Sequence, residues 1–441
     1  MLDIVPNPDS FAAPAAAEHT SLRRVVVIAD FGLSKGGAEN VAIDSARALA
    51  ESGLDVSFIF AVGTLADDRL SHPRIKATGL GFPDLWAMPR LIGAQAGIWH
   101  REAARRLAGE LARLPIDGTV VHLHQWTRSF SPAIFKGLVS TRRPLAVTMH
   151  GYYIACPTGI LYRYDTQQVC DLKPGSLACT FANCDPLSPF HKAIRVARTW
   201  ATHHALAGAA FDAIHVSDRG QASLGPYLPA DVRQHRIDNP VRVVSGPPAE
   251  IAEGSAFAFI GRMTPEKGAE RMAAAAKAAG VPALFVGEGP SEAAIRRINP
   301  DARLLGWRSS AEVMALLRRE IRCVVAPSLW PETGPLTVYE ALAAGVPVIA
   351  SNRAGASEKV THGETGFVCE PTVDGMAAAM RQLACRDTAR HMGRTGYERY
   401  WLRPLSAQAH AAALVRVYRR MLAERPVAAG VVAASRIVQP A

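Results

Sequence analysis

No uncharged apolar run in this 441-residue chain approaches the roughly 20 residues needed to span a bilayer, so the protein is expected to be soluble or at most peripheral. Charged residues are few, at 20%, beside 49% hydrophobic residues, which excludes a disordered polyampholyte and describes a packed protein. Aromatics are few as well, at 7%, and the basic residues are not interleaved with them. That argues against a nucleic-acid partner. The seven cysteines contain no Cys-x-x-Cys knuckle, their number is odd, and several sit in apolar strand-like runs, such as Cys323 in RCVVAPS and Cys369 in GFVCEP. Reduced thiols in a cytoplasm are therefore expected, and disulfides are not. The leading MLDIVPNPDSFAAPAAAEHTS lacks the basic flank and continuous apolar stretch of a secretory signal; residues 1–21 are expected to form a disordered tail. There is also no Asp-x-Asp pair to hold a divalent ion between phosphates, and no repeat of short period.

What is present is an alternation of short β-branched runs with Ala/Leu-rich helical stretches, the pattern of a parallel sheet covered by crossover helices. Strands are predicted at 24–30, 55–63, 119–125, 144–150 and 213–218, then at 256–262, 282–289, 302–307, 323–328 and 346–351. The fold class is α/β, with two doubly wound halves facing a cleft, because ligands of such sheets sit outside the carboxyl ends of their strands. Residues 22–243 make the first domain, with a Cys/Tyr/Gly/Pro-rich insertion at 152–190. Residues 244–254 read as a linker around Ser-Gly-Pro-Pro, and 255–402 as the second domain. A terminal helix at 403–426 is expected to pack across both lobes, and 427–441 to be a disordered tail. The formal charge of +10 comes from arginines scattered over helical segments, read either as solvated helix faces or as a surface for anionic lipid or substrate.

Chemistry concentrates in a few stretches. In PETGPLTVYEALAAGVPVIAS, residues 331–351, a loop leads from a buried strand into a helix ended by Gly345. The unpaired N–H groups of that helix start attract an anion, most naturally phosphate. A sugar nucleotide bound there would offer hydroxyls on both sides, to Glu332 in the loop and to Glu340 in the helix. Charge-assisted bonds of this kind contribute about 1.5–3 kcal/mol each. Pro335 has no N–H, so phosphate contacts fall to Leu336 and Thr337, beside Gly334. In GRMTPEKGAE, Arg262 and Lys267 follow a strand ending at Gly261, where fixed cations can neutralise a departing diphosphate. FGLSKGGAEN supplies Gly36 and Gly37 in a loop that an anion or sugar can approach closely. His150 ends LAVTMH at the sheet edge; His122 and His124 in VVHLHQW are expected to point to opposite faces, so that both cannot line the cleft. In the insertion, Cys156, Cys170, Cys179 and Cys184 are separated by 13, 8 and 4 residues and could close a structural zinc site. Tyr152, Tyr153, Tyr162 and Tyr164 read as an acceptor-side lid. Each stretch taken alone also has a structural explanation: a helix-dipole carboxylate, an ordinary Pro-Glu-Lys-Gly turn, a packing Gly-Gly, a core histidine.

Together, KGGAENVAIDSARALAESGLDV, VTMHGYYIACPTG, RIDNPV, GRMTPEKG, FVGEGP, VVAPS, PETGPLTVYEALAAGVPVIAS and GETGF resemble, in that order, glycosyltransferase family 4. The resemblance implies the two-lobed GT-B fold and a retaining hexosyltransferase that needs no catalytic cofactor. By it, Glu332 and Glu340 correspond to the family's paired glutamates on donor sugar and ribose. Arg262 and Lys267 correspond to its diphosphate clamp, His150 to its central histidine and Gly36-Gly37 to its glycine loop; Gly334-Pro335 departs from the usual Phe-Gly. The implied partners are a nucleotide-diphosphate sugar and a sugar or lipid-linked acceptor of polysaccharide or glycolipid assembly, with possible contact at the inner face of an anionic membrane. A nucleotide-sugar epimerase, a sugar phosphorylase, or a silent nucleotide-sugar-binding scaffold on the same fold are the alternatives.

Overall fold

A computed structural model describes residues 21–251 and 254–424; the expected terminal tails lie almost wholly outside the described residues. The first lobe carries β1 (Arg24–Phe31), β2 (Asp55–Val62), β3 (Ile75–Phe82), β4 (Thr119–Leu123) and β5 (Leu145–Met149), then the small β6 (Tyr162–Arg163) and β7 (Gln168–Val169), and finally β8 (Asp212–His215) and β9 (Arg233–Arg236). The second carries β10 (Ala256–Ile260), β11 (Ala283–Val286), β12 (Arg303–Leu304), β13 (Ile321–Ala326), β14 (Val348–Ser351) and β15 (Gly366–Cys369).

Spatially the first sheet runs β3-β2-β1-β4-β5-β8-β9 and the second β12-β11-β10-β13-β14-β15, every pairing parallel. Both are doubly wound sheets whose order reverses beside the first strand, which opens a crevice between β1 and β4 and another between β10 and β13. Helices cover both faces, so the central strands are buried throughout and read as unbroken apolar runs, as in the VVVIADF of β1.

All ten strands expected from the sequence are present, with ends shifted by a few residues. Those passed over are β3, β9 and β15, together with the β6–β7 hairpin. β3 and β9 lie at sheet edges and are half-solvated, with polar sequences such as RQHR in β9. An edge strand needs only one buried face and so carries a weak apolar signal.

Two boundaries differ from expectation. No helix or strand is formed between Arg236 and Ala256 among the described residues, and Val241 and Ile251 already belong to the second lobe's core. Ile237 is still in the first lobe's core, so the crossing falls between Ile237 and Val241, ahead of the expected 244. The expected helix at 403–426 does not pack across both lobes. Pro404 disfavours helix in the residue before it, so one helix, Arg386–Leu402, ends on the second lobe, where the Trp401 indole donates to the Ala343 carbonyl at 3.0 Å. Ser406 then caps a separate helix, Ala407–Ala423, whose apolar face (Ala411, Leu414, Tyr418, Met421) is buried in the first lobe's core. The chain thus crosses the lobes twice, and the crossings touch where the Val241 N–H donates to the Leu405 carbonyl at 2.8 Å.

Candidate functional site

The residues singled out in the second lobe lie on both sides of its crevice. After β10 come Gly261 and exposed Arg262, which has no side-chain partner among the described residues. A single 3-10 turn, Pro265–Lys267, follows and ends at Gly268 with φ +75°. A Cβ at Gly268 would lie 2.2 Å from the Pro327 carbonyl oxygen. Only glycine lets this turn seat against the loop that follows β13. The seating brings Lys267 Nζ into an ion pair with Glu332, whose second oxygen accepts from Ser328 Oγ. Glu332 is buried and so depends on both partners. Gly268→Ala is expected to destabilise the protein by at least about 2 kcal/mol through backbone strain and the clash, read as a lower denaturant midpoint; an unchanged midpoint contradicts this account of the turn.

The same loop opens the helix Leu336–Ala344. Pro335 stands at its N-cap with no side-chain cap, and Leu336 and Thr337 are its first two residues, where helical N–H groups lack intrahelical acceptors. Gly37 faces this helix start from the first lobe: a Cβ there would lie 3.9 Å from Leu336 Cδ1, in ordinary contact. The glycine loop after β1 and the helix start after β13 therefore meet across the cleft. Gly36 is the N-cap of the helix Gly37–Glu51, and Gly334 lies against Tyr339 and Asn239. Glu340 is half-buried and has no hydrogen-bond or ionic partner among the described residues. Burial pushes its carboxyl up to about 7.

On the first lobe, His150 ends β5 at the cleft, and its carbonyl accepts from Thr333 Oγ1 of the opposite loop at 3.2 Å. Its Nε2 bonds His124 Nδ1 at 3.0 Å. His124 and His122 do not point to opposite faces: their rings lie 4.1 Å apart. Side chains alternate with a period of two along a strand, so residues two apart share a face. His122 in turn bonds Thr148 Oγ1 at 2.7 Å and the Tyr418 hydroxyl at 2.6 Å. The file Tyr418–His122–His124–His150 links the returning C-terminal helix to the cleft. Burial lowers all three histidines, His150 to about 3. His150 is thus an uncharged ring at neutral pH, able to orient a hydroxyl but carrying no positive charge.

The 152–190 insertion is not a loop short of core. Tyr152, Ile154, Cys156, Leu161 and Tyr162 share a cluster with Leu329 and Trp330 of the second lobe, and the Tyr152 hydroxyl donates to the Pro331 carbonyl. Tyr152 and Tyr162 are buried and cannot present themselves to an acceptor; of the expected lid only Tyr153 and Tyr164 keep some exposure. The β6–β7 hairpin reaches the second lobe, where Asp165, Gln167, Arg271 and Arg353 line a polar recess. Cys156, Cys170, Cys179 and Cys184 do not assemble in a metal-holding arrangement, and among the described residues no group of three or more potential ligands does. The Lys192 ammonium takes Cys184 Sγ at 3.0 Å, and Cys156 Sγ bonds Thr158 Oγ1 at 3.3 Å, so two of the four sulfurs have other partners. The lobes also meet at Glu358, which accepts from the Asp218 and Arg219 N–H groups at 3.0 and 2.6 Å, and at the Lys359–Asp238 pair at 2.9 Å.

Two parallel-sheet lobes joined by a double crossing, with a cation pair, paired glutamates and an uncapped helix start at their facing edges, define a GT-B protein. Residues 36–169 match the family model for the glycosyl transferase 4-like domain, and residues 249–399 the model for glycosyl transferases group 1. With both matches in this order, the chain belongs to the glycosyltransferase family 4 type. Among curated relatives, the glycogen synthase of Mycobacterium tuberculosis is 34% identical over 137 residues, covering 28% of this chain and 33% of that protein. The GDP-mannose-dependent alpha-(1-6)-phosphatidylinositol monomannoside mannosyltransferase of the same species is 29% identical over 203 residues, covering 41% of this chain and 52% of that one. The match thus spans about a third to a half of these relatives' length. Solved structures share the fold: sucrose-phosphate synthase of Thermosynechococcus elongatus (TM-score 0.67, 19% identity, covering 91% of this chain and 99% of that one) and Anabaena HepE in complex with UDP and glucose (TM-score 0.59, 15% identity, covering 90% and 99%).

Proposed function

We propose that this protein transfers a sugar from a nucleoside-diphosphate sugar to an acceptor hydroxyl, with the anomeric configuration kept, in polysaccharide or glycolipid assembly at the cytoplasmic side of a membrane. The observation that carries the reading is the Lys267–Glu332 pair at the uncapped helix start at Leu336, on the same post-β10 segment as exposed Arg262, which has no side-chain partner among the described residues. Lys267 uses one of its three N–H donors on Glu332. The others and the Arg262 guanidinium are available to diphosphate oxygens, and Glu332 to hydroxyls of the transferred sugar. As the bond from the anomeric carbon to the diphosphate breaks, negative charge grows on phosphate, and these preorganised donors stabilise it without reorganising. The acceptor oxygen bonds the anomeric carbon on the face the diphosphate leaves, and its proton passes to a leaving phosphate oxygen. His150, uncharged, orients the sugar beside the reacting centre, and Gly37 leaves room for the diphosphate.

The names of the relatives support a nucleotide-sugar donor without choosing its base: GDP-mannose for the mycobacterial mannosyltransferase, UDP in the HepE structure. Thermal-shift measurement against UDP-, GDP- and ADP-sugars is the test. A donor at a hundred times its Kd should stabilise the folded state by about 2.7 kcal/mol, and the transferred sugar should show retained configuration by NMR. Lack of stabilisation by all three classes, or an inverted product, refutes the reading.

A further inference from the structure

On the first lobe, large apolar side chains that a folded protein ordinarily buries are left in solvent within a few adjoining segments. Leu91 is 78% exposed and Ile92 58%, both in the first turn of the helix Arg90–Ile98. That helix packs against the helix Pro189–Leu206, whose second residue, Phe190, is 53% exposed. Trp86, in the turn before the first helix, stacks on His191 with ring centroids 6.4 Å apart. The short helix Leu177–Phe181 adds Leu177 and Phe181, four residues apart and so on one face; both are more than three-quarters exposed, while Cys179 between them is buried. Its position follows from the Lys192–Cys184 contact, which ties this part of the insertion to the first turn of the Phe190 helix. Scattered exposed leucines need no explanation, but an aromatic and aliphatic group of this size on adjoining elements marks a docking surface.

Charge and position identify what docks there. Exposed Arg90 begins the first helix, exposed Lys173 precedes the short one and exposed Arg101 follows, while Arg105 is paired with Glu102 at 3.2 Å, in a chain of net charge +10. The nearby carboxylates Asp84 and Asp185 are engaged by Arg128 and Arg195, and of the two exposed acids of the insertion Asp165 is paired with Arg163, which leaves Asp171. Trp and Phe beside apolar side chains, ringed by Arg and Lys, suit the interface of an anionic bilayer: the rings enter the headgroup region and the cations stay among the phosphates. The patch also adjoins the cleft. The Arg128 guanidinium lies 5.9 Å from the Trp86 ring and 5.4 Å from the ring of Phe31, which ends β1 at the crevice.

We infer that this corner of the first lobe, centred on Trp86, Leu91, Ile92, Phe181 and Phe190, docks on an anionic phospholipid surface and brings the cleft mouth to a lipid-linked acceptor. The acceptor half of this statement rests on the proposed transferase reading; the docking half does not. The test is flotation of the full chain with vesicles of phosphatidylcholine alone and of phosphatidylcholine mixed with phosphatidylglycerol. Wild type should float with the mixed vesicles, less so with phosphatidylcholine alone, and binding should fall as salt rises. A triple variant, Leu91→Ser, Phe181→Ser and Phe190→Ser, should partition about tenfold less or weaker still, with its melting temperature and its stabilisation by nucleotide sugar unchanged in solution. Wild type that ignores both vesicle types, or a triple variant that binds them equally well, overturns the docking. A wild-type dimer that the triple variant abolishes, without vesicle binding by either, reassigns the patch to self-association. If docking holds but no nucleotide sugar stabilises the protein, the transferase reading falls and the docking surface stands.

Discussion

Arg262→Ala should lower kcat by about 10²-fold while leaving the melting temperature within experimental error of wild type. Loss of one preorganised donor to a developing charge typically costs this much or more. The side chain is exposed and has no partner among the described residues, so its removal leaves no described buried group unsatisfied. Lys267→Ala should be at least as damaging to turnover, yet its interpretation is mixed. It also leaves the buried Glu332 carboxylate with only Ser328 for a partner, and breaking such a pair typically costs about 3–5 kcal/mol. The Arg262 variant therefore decides whether the cations act on the leaving group. The double variant should fall short of the product of the two losses, because the residues act on the same oxygens. If Arg262→Ala turns over at wild-type rate with saturating donor, the clamp is not where it has been placed.

The legible parts of this molecule were those written in apolar runs and in glycine and proline. Central strands of a parallel sheet are buried on both faces, so β1 and β13 announce themselves as VVVIADF and IRCVVA, and the residues that follow them mark the crevices. The edge strand β9, with its RQHR, gives no such signal. The terminal helix expected at 403–426 is legible, and Ser406 after Pro404 marks its start; which lobe takes its apolar face is not. His122 and His124 are legible in principle, since spacing alone puts residues two apart on one face of a strand. What no spacing reveals is which segments of distant sequence meet. The Tyr152–Pro331 bond, the Thr333–His150 bond and the capping of the helix at Asp218 by Glu358 depend on how two independently folded lobes close. The cysteines show the same limit from the other side: four of them in one insertion read as a candidate zinc site, and their spacing gives no hint of the Lys192–Cys184 contact.

Glu340→Gln should change stability and donor affinity in opposite directions. In the folded protein burial raises this carboxyl from 4.5 to about 7, with no described partner to offset it. The folded state then binds the proton more tightly than the unfolded chain does. The neutral group's contribution is intact below about pH 4.5, is lost progressively as pH rises toward 7, and stays lost above it. A shift of this size corresponds to roughly 3 kcal/mol. The amide carries no charge to desolvate, so the variant should be more stable than wild type by up to about that amount at pH 8, and show little gain near pH 4. An unpaired, half-buried carboxylate kept at such a cost has its use in ligand binding, where ribose hydroxyls would supply the missing hydrogen bonds. Nucleotide-sugar affinity of the wild type should accordingly rise with pH through about 7, as the acceptor becomes ionised. The Gln variant should bind about 10- to 100-fold more weakly at pH 8, the equivalent of one charge-assisted bond, with that pH dependence gone. His150 cannot supply the same profile, because its ionisation lies near 3. Calorimetric titration of donor from pH 6 to 8 on both proteins, paired with thermal melts, measures both effects. A Gln variant that is no more stable than wild type at pH 8 would show that Glu340 already has a partner in the empty protein, and one that binds donor as tightly would remove it from the ribose site.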